Sequence, residues 1–365
     1  MTNKIRKIGI STGGGDAPGL NAVIRAAVKT AINEYGWEVY GIRDGLDGLF
    51  QPGGVFQLGH REVRGILHLG GTILGTANRG NPFAQKTIGP DGEEVITDIS
   101  DEYIKRIELF GLDALIMIGG DGSLYIANEF HKRGVKVVGV PKTIDNDVGL
   151  TDMTFGFDTA VNIAMEALDR LHTTAESHHR VMILELMGRD AGFIALRAGV
   201  AGGADIILLP EIPFNFDSIC HKVNQRVARG HKFSIVAIAE GAYPAGGQRV
   251  FSRHGADLSV ERLGGIGQTV GRFIQENCGA ETRVTVLGHI QRGGSPTALD
   301  RWLSTRYGGE ATRLIAREQF GHMVALSGRD IVAVPFEDVL AKPKRVRVNV
   351  DTIQTARALG ISFGD

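Results

Sequence analysis

The chain has 365 residues, enough for about two domains with a large buried core, which excludes a small disulfide-stapled protein. Glycine accounts for 51 residues, twice the average share of about 7 %, but 43 % of the chain is hydrophobic and no Gly-X-Y repeat appears, which excludes collagen and disordered linkers. The 40 basic and 41 acidic residues leave a formal charge of −1, so we expect no nucleic acid partner and no general attraction to anionic membranes.

Short apolar runs recur along the chain, and most of them lead through a turn into a helical pattern. Apolar runs of this length without alternation are typical of parallel strands buried on both faces. The predicted strands span Arg6–Ser11, Asp113–Ile118, Val135–Val140, Val181–Met187, Asp205–Leu209, Phe233–Ala239 and Thr282–Leu287. The clearest helix lies between Gly19 and Tyr35, where apolar residues recur at intervals of three and four. The sequence therefore predicts an α/β chain with mostly parallel sheets and helices on both faces.

Two successive strand and helix series predict two similar Rossmann-like lobes, each with three α/β/α layers, and an active site in the crevice between them. The segments 78–98 and 241–267 are rich in glycine and polar residues, so we interpret both as insertions or hairpins on the surface.

Cysteine use and hydropathy predict a soluble cytoplasmic protein. Cys220 and Cys278 do not make a disulfide framework and lack CxxC spacing, which favours a reducing compartment. The N-terminus is too short in apolar residues for a signal peptide. No apolar run approaches the roughly 20 residues that span a bilayer, because Asp205 and Glu211 interrupt the best candidate, so we expect no membrane partner.

A glycine-rich turn, Gly13 to Gly19, follows the first predicted strand. Glycines let the backbone approach a phosphate, and free N–H groups and the dipole of the following helix stabilise its charge. The turn is neither a dinucleotide fingerprint, which fails at Pro18, nor a Walker A loop, because the chain contains no Gly-Lys dipeptide. A tight turn without a ligand is the alternative.

A second glycine-rich loop, Gly119-Gly120-Asp121-Gly122-Ser123, follows the strand that ends at Ile118. It combines glycines that admit phosphates with a carboxylate that could hold Mg²⁺ on phosphate oxygens. The alternative role for Asp121 is to cap a helix.

The third motif, Pro141-Lys142-Thr143-Ile144-Asp145-Asn146-Asp147, follows the next strand. Two carboxylates two residues apart can divide labour, one accepting a hydroxyl proton while the other faces a metal or orients the first. An Asx-rich turn is the alternative.

Several arginines follow or precede later strands, and guanidinium groups grip phosphate oxygens bidentately. The relevant segments are Ser177-His178-His179-Arg180, Met187-Gly188-Arg189, Glu240, Arg283 and Gly288-His289-Ile290-Gln291-Arg292-Gly293-Gly294-Ser295. A single arginine of this kind is more often a surface or ion-pair residue than a functional one. The histidines lack metal-ligand spacing, so we expect no histidine metal site.

These motifs, in this order from about Lys7 to Arg313, closely resemble those of the 6-phosphofructokinase family. The resemblance implies transfer of a phosphoryl group from ATP to the 1-hydroxyl of fructose 6-phosphate, with Mg²⁺. It implies that Asp145 is the base, with Thr143, Asp147 and Arg189 also catalytic, and that Asp121 is the metal ligand.

The resemblance also assigns the two binding sites. Donor-binding residues are Gly14, Arg79, Gly119, Gly120, Asp121, Gly122, Ser123 and Lys142. Sugar-phosphate-binding residues are Thr143, Ile144, Asp145, Arg180, Met187, Gly188, Arg189, Glu240, Arg283, His289, Ile290, Gln291 and Arg292. Residues 1–156 plus 291–342 are predicted to form the donor lobe, and 157–290 plus 343–365 the fructose 6-phosphate lobe.

Two positions bear on the phosphoryl donor. Lys142 resembles the pyrophosphate-using and mixed-substrate branch, whereas Gly122 stands where pyrophosphate enzymes usually carry Asp. A carboxylate there would repel the α-phosphate of a nucleotide, so Gly122 favours ATP. The family's nucleotide-type arginine is replaced by Asn78, and Arg79 is predicted to take its role.

In this family Arg180 and Arg283 match residues that reach the site of a neighbouring subunit, which implies a homotetramer or homodimer. Three alternatives stay open: a pyrophosphate-dependent enzyme, a non-catalytic sensor of nucleotide and sugar phosphate, and a kinase that acts on NAD or a lipid.

Overall fold

The computed structural model describes residues 5–77, 80–88, 93–252 and 262–365. The chain forms two compact units, and it passes from one to the other five times. The first unit holds residues 1–143, 148–156 and 292–343, and the second holds 144–147, 157–291 and 344–365.

The first unit is built on a seven-stranded sheet with the order β15-β14-β7-β6-β1-β2-β3. Its strands are β1 (Lys7–Thr12), β2 (Glu38–Ile42), β3 (Val55–Gln57), β6 (Ala114–Gly119), β7 (Val137–Pro141), β14 (His322–Ser327) and β15 (Asp330–Pro335), and a separate hairpin pairs β4 (Gln85–Ile88) with β5 (Glu94–Thr97). Its helices are α1 (Leu20–Tyr35), α2 (Ser100–Leu109), α3 (Asp121–Lys132), α8 (Ala298–Ala316) and α9 (Phe336–Ala341), with a 3₁₀ turn at Asp47–Phe50.

Helices cover both faces of this sheet because its central strands are apolar on both sides. Along β6, Ile116 and Ile118 join the core that includes α1 and α8, whereas Leu115 and Met117 join the core that includes α3 and α9. Alternate residues of a strand point to opposite faces, so this pattern gives three layers.

The second unit is built on a parallel four-stranded sheet with the order β13-β8-β10-β9. Its strands are β8 (Val181–Leu186), β9 (Ile206–Leu208), β10 (Ser234–Ala239) and β13 (Thr282–Val286), with the short pair β11 (Phe251–Ser252) and β12 (Arg262–Leu263). Its helices are α4 (Phe157–His178), α5 (Phe193–Ala201), α6 (Phe216–Ala228), α7 (Ile266–Asn277) and α10 (Asp351–Ala358), with a 3₁₀ turn at Gly288–Arg292. α6 and α7 pack on one face, and α4 and α5 contact the strands as well.

The predicted fold class is confirmed, and all seven predicted strands and the helix before Gly36 are present within two or three residues of their predicted ends. The segment 78–98 carries the β4–β5 hairpin, as expected of a surface insertion. Part of the second predicted insertion, residues 253–261, lies outside the described residues.

The two cysteines are bonded to each other, which the sequence did not predict. Cys220 on α6 and Cys278 at the end of α7 form a disulfide, so the cysteine count no longer supports a reducing compartment. Within the described ranges, no helix is long and apolar enough to cross a membrane.

Candidate functional site: two sets of strand-end loops

The donor motifs of the first unit leave the carboxyl ends of β1, β6 and β7, which are neighbours in the sheet. β1 lies between β2 and β6. The chain continues from β1 to β2 on one side, and the later strand β6 pairs with β1 on the other side. Ligands in open α/β sheets bind outside the carboxyl ends of the strands at such a switch point. The loops 13–19 and 119–123 flank this position.

The first glycine-rich loop differs from expectation in its hydrogen bonds. The N–H of Gly13 donates to Ile118 O (2.9 Å), and the N–H of Gly14 donates to Ala77 O (3.0 Å). These two amides are therefore not free for a phosphate, contrary to the sequence-based argument. Their bonds hold the loop against β6 and the segment around residue 77.

The Ser123 side chain fills the space where two of the glycines would otherwise carry a Cβ. A Cβ at Gly13 would lie 2.6 Å from Ser123 Oγ, and one at Gly119 would lie 2.2 Å from Ser123 Cβ. The two glycine-rich loops thus approach each other more closely than side chains would permit.

Gly122 faces open space, because a Cβ added there meets nothing within 4 Å. Beside it, Asp121 is exposed at the first residue of α3. Mg²⁺ in kinases is usually held by one or two carboxylates together with substrate phosphates. Asp121 fits that donor set, and the described part of the chain contains no cluster of three or more His, Cys, Asp or Glu that could bind a metal alone.

Lys142 forms hydrogen bonds to both glycine-rich loops. Its side chain is only 3 % exposed, its Nζ donates to Gly15 O, and its backbone N–H donates to Gly119 O (2.9 Å). One ammonium group is therefore fixed under the 13–15 loop, where it can balance phosphate charge.

A small open pocket that the sequence did not predict lies beside these loops. Its lining includes Gly13 and Ser123 of the two loops, and Leu46, Asp47 and Tyr103. Burial and the charge of Asp44 raise the pKa of Asp47 above its usual value. The sequence signal that could have indicated this pocket is the Asp-Gly-Leu-Asp turn after β2. It was missed because β2 is not a continuous apolar run and was not predicted as a strand.

The third motif is largely buried. Asp145 is 3 % exposed and Thr143 is 8 % exposed, and Ile144 is fully buried. Thr154 Oγ1 donates to Thr143 O (2.7 Å). Burial raises the pKa of Asp147, and the nearby charges of Arg189, Arg345 and Lys344 oppose that rise.

In the second unit, three candidate segments leave the carboxyl ends of neighbouring strands. Met187-Gly188-Arg189 follows β8, Glu240 follows β10, and His289 lies in the turn after β13. The N–H of Arg189 donates to Glu240 Oε1 (3.0 Å), while the Arg189 side chain is exposed. Burial, with the charges of Asp145 and Glu185, raises the pKa of Glu240 to about 7.

The predicted segment 289–292 divides. His289 and Ile290 are exposed, whereas Gln291 is fully buried and its Nε2 donates to Gly288 O (3.2 Å), so this side chain shapes the turn. Arg292 belongs to the first unit, where its Nη1 donates to Asp16 O (3.0 Å).

Arg180 and Arg283 lie at the opposite end of the second sheet from Arg189 and Glu240. Arg180 directly precedes β8, and Arg283 is the second residue of β13. Both pair with Glu281, Arg180 Nε at 3.0 Å from a carboxylate oxygen. Six strand residues at ~3.3 Å each separate the two ends by roughly 20 Å, so the structure does not bring these arginines to the Arg189 group. Arg79 lies outside the described residues.

Comparisons with known proteins show which family the chain resembles. The family model for phosphofructokinase matches residues 7–315. The chain is 52 % identical to an ATP-dependent 6-phosphofructokinase of Chloroflexus aggregans over all of this chain and 99 % of that protein. It is also 49 % identical to a pyrophosphate–fructose 6-phosphate 1-phosphotransferase of Streptomyces coelicolor, covering 93 % of this chain and 96 % of that protein.

A solved phosphofructokinase from Pichia pastoris, in the T-state, has a TM-score of 0.79 and 32 % identity over 93 % of this chain, which spans 36 % of that longer chain. Motif order, strand-end placement and full-length similarity lead to one conclusion: the chain belongs to the phosphofructokinase family.

Proposed function

We propose that this chain is an ATP-dependent 6-phosphofructokinase, which converts D-fructose 6-phosphate to fructose 1,6-bisphosphate in glycolysis. The observation that carries the donor assignment is the open space at Gly122 beside the pocket of the first unit. A nucleotide needs room for an α-phosphate and a nucleoside, and pyrophosphate needs neither. The full-length relative with the ATP-dependent name supports the same choice.

The donor residues act mainly by position and charge. Lys142 supplies a fixed positive charge at the glycine-rich loops, Gly119 accommodates the Ser123 side chain, and Gly122 leaves open space for phosphates. Asp121 would hold Mg²⁺, which neutralises phosphate charge when bound. The predicted donor residue Arg79 would add positive charge, and Arg292, predicted for the sugar-phosphate site, lies in the first unit with its Nη1 donating to Asp16 O.

Asp145 acts as general base. It takes the proton of the 1-hydroxyl as that oxygen forms its bond to the γ-phosphorus and the bond to the leaving ADP oxygen breaks. Its contribution is about 10²–10⁴-fold in rate. Asp147 lies close enough to Arg189 for their charges to interact, so it helps to orient the arginine that faces the sugar phosphate.

Glu240, His289 and the exposed Arg189 side chain bind the sugar phosphate. Arg180 and Arg283 serve the site of a neighbouring subunit, because they lie at the far end of their own sheet. The working form is therefore a homotetramer or a homodimer. A cytoplasmic location is part of the same proposal, since multiply charged phosphate esters do not cross a bilayer unaided.

Pyrophosphate dependence is the second candidate, favoured by Lys142 and by the Streptomyces coelicolor relative. The open space at Gly122 stands against it.

Replacing the base tests the proposed reaction. We expect Asp145→Ser to lose at least about 100-fold in kcat while still binding fructose 6-phosphate. Calorimetric binding of the sugar phosphate and a coupled assay for fructose 1,6-bisphosphate measure the two quantities. A kcat close to that of the wild type would contradict the assignment of the base.

A further inference from the structure

Glu185 on β8 is a buried acid that the proposed mechanism does not use. Its side chain is only 2 % exposed. Burying an ionised carboxylate is unfavourable unless hydrogen bonds compensate for the lost water. The partners of Glu185 therefore indicate what this residue does.

Both carboxylate oxygens bind the beginning of α7. Oε1 accepts the N–H of Gly265 (2.9 Å) and Oε2 accepts the N–H of Gly267 (2.8 Å). Gly265 is the N-cap of α7 and has no side chain to cap the helix, so a carboxylate from β8 takes that role. A Cβ at Gly267 would lie 2.9 Å from Glu185 Oε2, so the close approach requires glycine there.

Glu185 also lies beside Glu240. β8 and β10 are parallel neighbours, with Glu185 opposite Ile238, and the N–H of Glu240 donates to Leu186 O (2.8 Å). Glu185 and its partner Ile238 share a face of the sheet, and Glu240 directly follows the end of β10, within reach of the Glu185 charge.

The groups that act on Glu240 come from three elements. Asp145 contributes a negative charge from the loop before α4, Glu185 contributes one from β8, and the β8–α5 loop contributes the backbone N–H of Arg189. The Glu185 carboxylate accepts the N–H groups of Gly265 and Gly267 at the start of α7. Its backbone oxygen accepts the N–H of Leu287, the residue after β13 (3.0 Å).

We propose that Glu185 is a positioning residue of the sugar-phosphate site, which ties the start of α7 to β8 and places a negative charge behind Glu240. That charge favours the protonated form of Glu240. The inference rests on the proposed function, since it takes Glu240 to face fructose 6-phosphate. Protonated Glu240 donates a hydrogen bond to a sugar hydroxyl, whereas ionised Glu240 repels the phosphate.

Binding of fructose 6-phosphate should therefore weaken as the pH rises through about 7, the pKa of Glu240. Removing the Glu185 charge should lower that pKa and shift the midpoint of the profile to lower pH. At pH 7 the KM for the sugar phosphate should consequently rise, while kcat at saturation changes little.

The test measures the KM for fructose 6-phosphate between pH 6 and 9 for the wild type, Glu185→Gln and a matched control, Glu211→Gln. Glu211 is a half-buried acid of the same unit that accepts the N–H groups of Gly192 and Val346. We expect the midpoint to move in Glu185→Gln and to stay in Glu211→Gln. If the midpoint of Glu185→Gln equals that of the wild type, Glu185 only caps α7 and the proposal is wrong.

Glu240→Gln keeps the test decisive if Glu185→Gln does not fold. Its amide cannot ionise, so KM should lose its rise through pH 7, and persistence of that rise would overturn the proposal. Titration of the Glu240 carboxyl by ¹³C NMR without substrate gives a readout that does not depend on the activity. Absence of fructose 6-phosphate turnover in the wild type would instead refute the proposed function, while the NMR shift still tests the coupling.

Discussion

Gly122 is the single residue on which the choice of phosphoryl donor depends most. An added Cβ meets no atom within 4 Å, so a larger side chain fits there without moving the fold. A side chain in this space meets no other part of the protein. The sequence predicted the importance of this position through the family resemblance, but only the structure shows that the space is open.

Substituting Gly122 should therefore change the donor without unfolding the chain. We expect Gly122→Asp to reduce kcat/KM for ATP by at least about 100-fold, because a carboxylate near the α-phosphate repels it by several kcal/mol. The ratio of pyrophosphate to ATP turnover should rise in parallel.

Gly122→Asn is the matched control, since it has the size of Asp without the charge. A smaller loss with Asn than with Asp assigns the effect to repulsion. Equal losses would mean that the space, and not the charge, selects the donor.

At the scale of elements, continuous apolar runs predicted the buried parallel strands well, because such strands are covered on both faces. They did not predict β2, which is short and begins with an exposed Glu38, or β15, whose exposure alternates at the sheet edge. The Cys220–Cys278 disulfide was equally out of reach, because α6 and α7 bring together residues 58 apart in sequence.

Local hydrogen bonding set a further limit on prediction. The loop of Gly13 and Gly14 was correctly placed at the end of a strand, but its amides bond to Ile118 and Ala77. Nothing in a run of glycines reveals such partners, since they come from distant parts of the chain.

The placement of Arg180 and Arg283 at the amino ends of β8 and β13 gives a prediction about subunit assembly. Each Arg→Ala variant should raise the KM for fructose 6-phosphate by at least about tenfold, the value of a charge-assisted hydrogen bond, with the KM for ATP unchanged. Arg313→Ala is the control, because Arg313 is also a partly exposed arginine in an ion pair, with Glu34.

Mixed oligomers make this prediction specific. Asp145→Ser and Arg180→Ala subunits should be unfolded and refolded together. At fructose 6-phosphate concentrations below KM, the mixture should be more active than either variant alone, because some sites combine Asp145 of one subunit with Arg180 of its neighbour. An increase in the KM for ATP alone would contradict the assignment of these arginines to the sugar phosphate.

At the scale of the whole molecule, the candidate residues divide by unit. Asp121, Gly122 and Lys142 belong to the first unit, and Asp145 and Glu240 belong to the second. The chain passes from one to the other within the third motif, between Thr143 and Ile144. One short segment thus carries residues assigned to both the donor and the acceptor.

Use of ATP to phosphorylate fructose 6-phosphate can be measured in steady-state assays of the wild type with Mg²⁺ and fructose 6-phosphate, with ATP or pyrophosphate as the donor. We predict fructose 1,6-bisphosphate as the product and a kcat/KM for ATP at least about tenfold above that for pyrophosphate, a difference of ~1.4 kcal/mol. A preference for pyrophosphate, or no turnover of fructose 6-phosphate with either donor, would contradict the account.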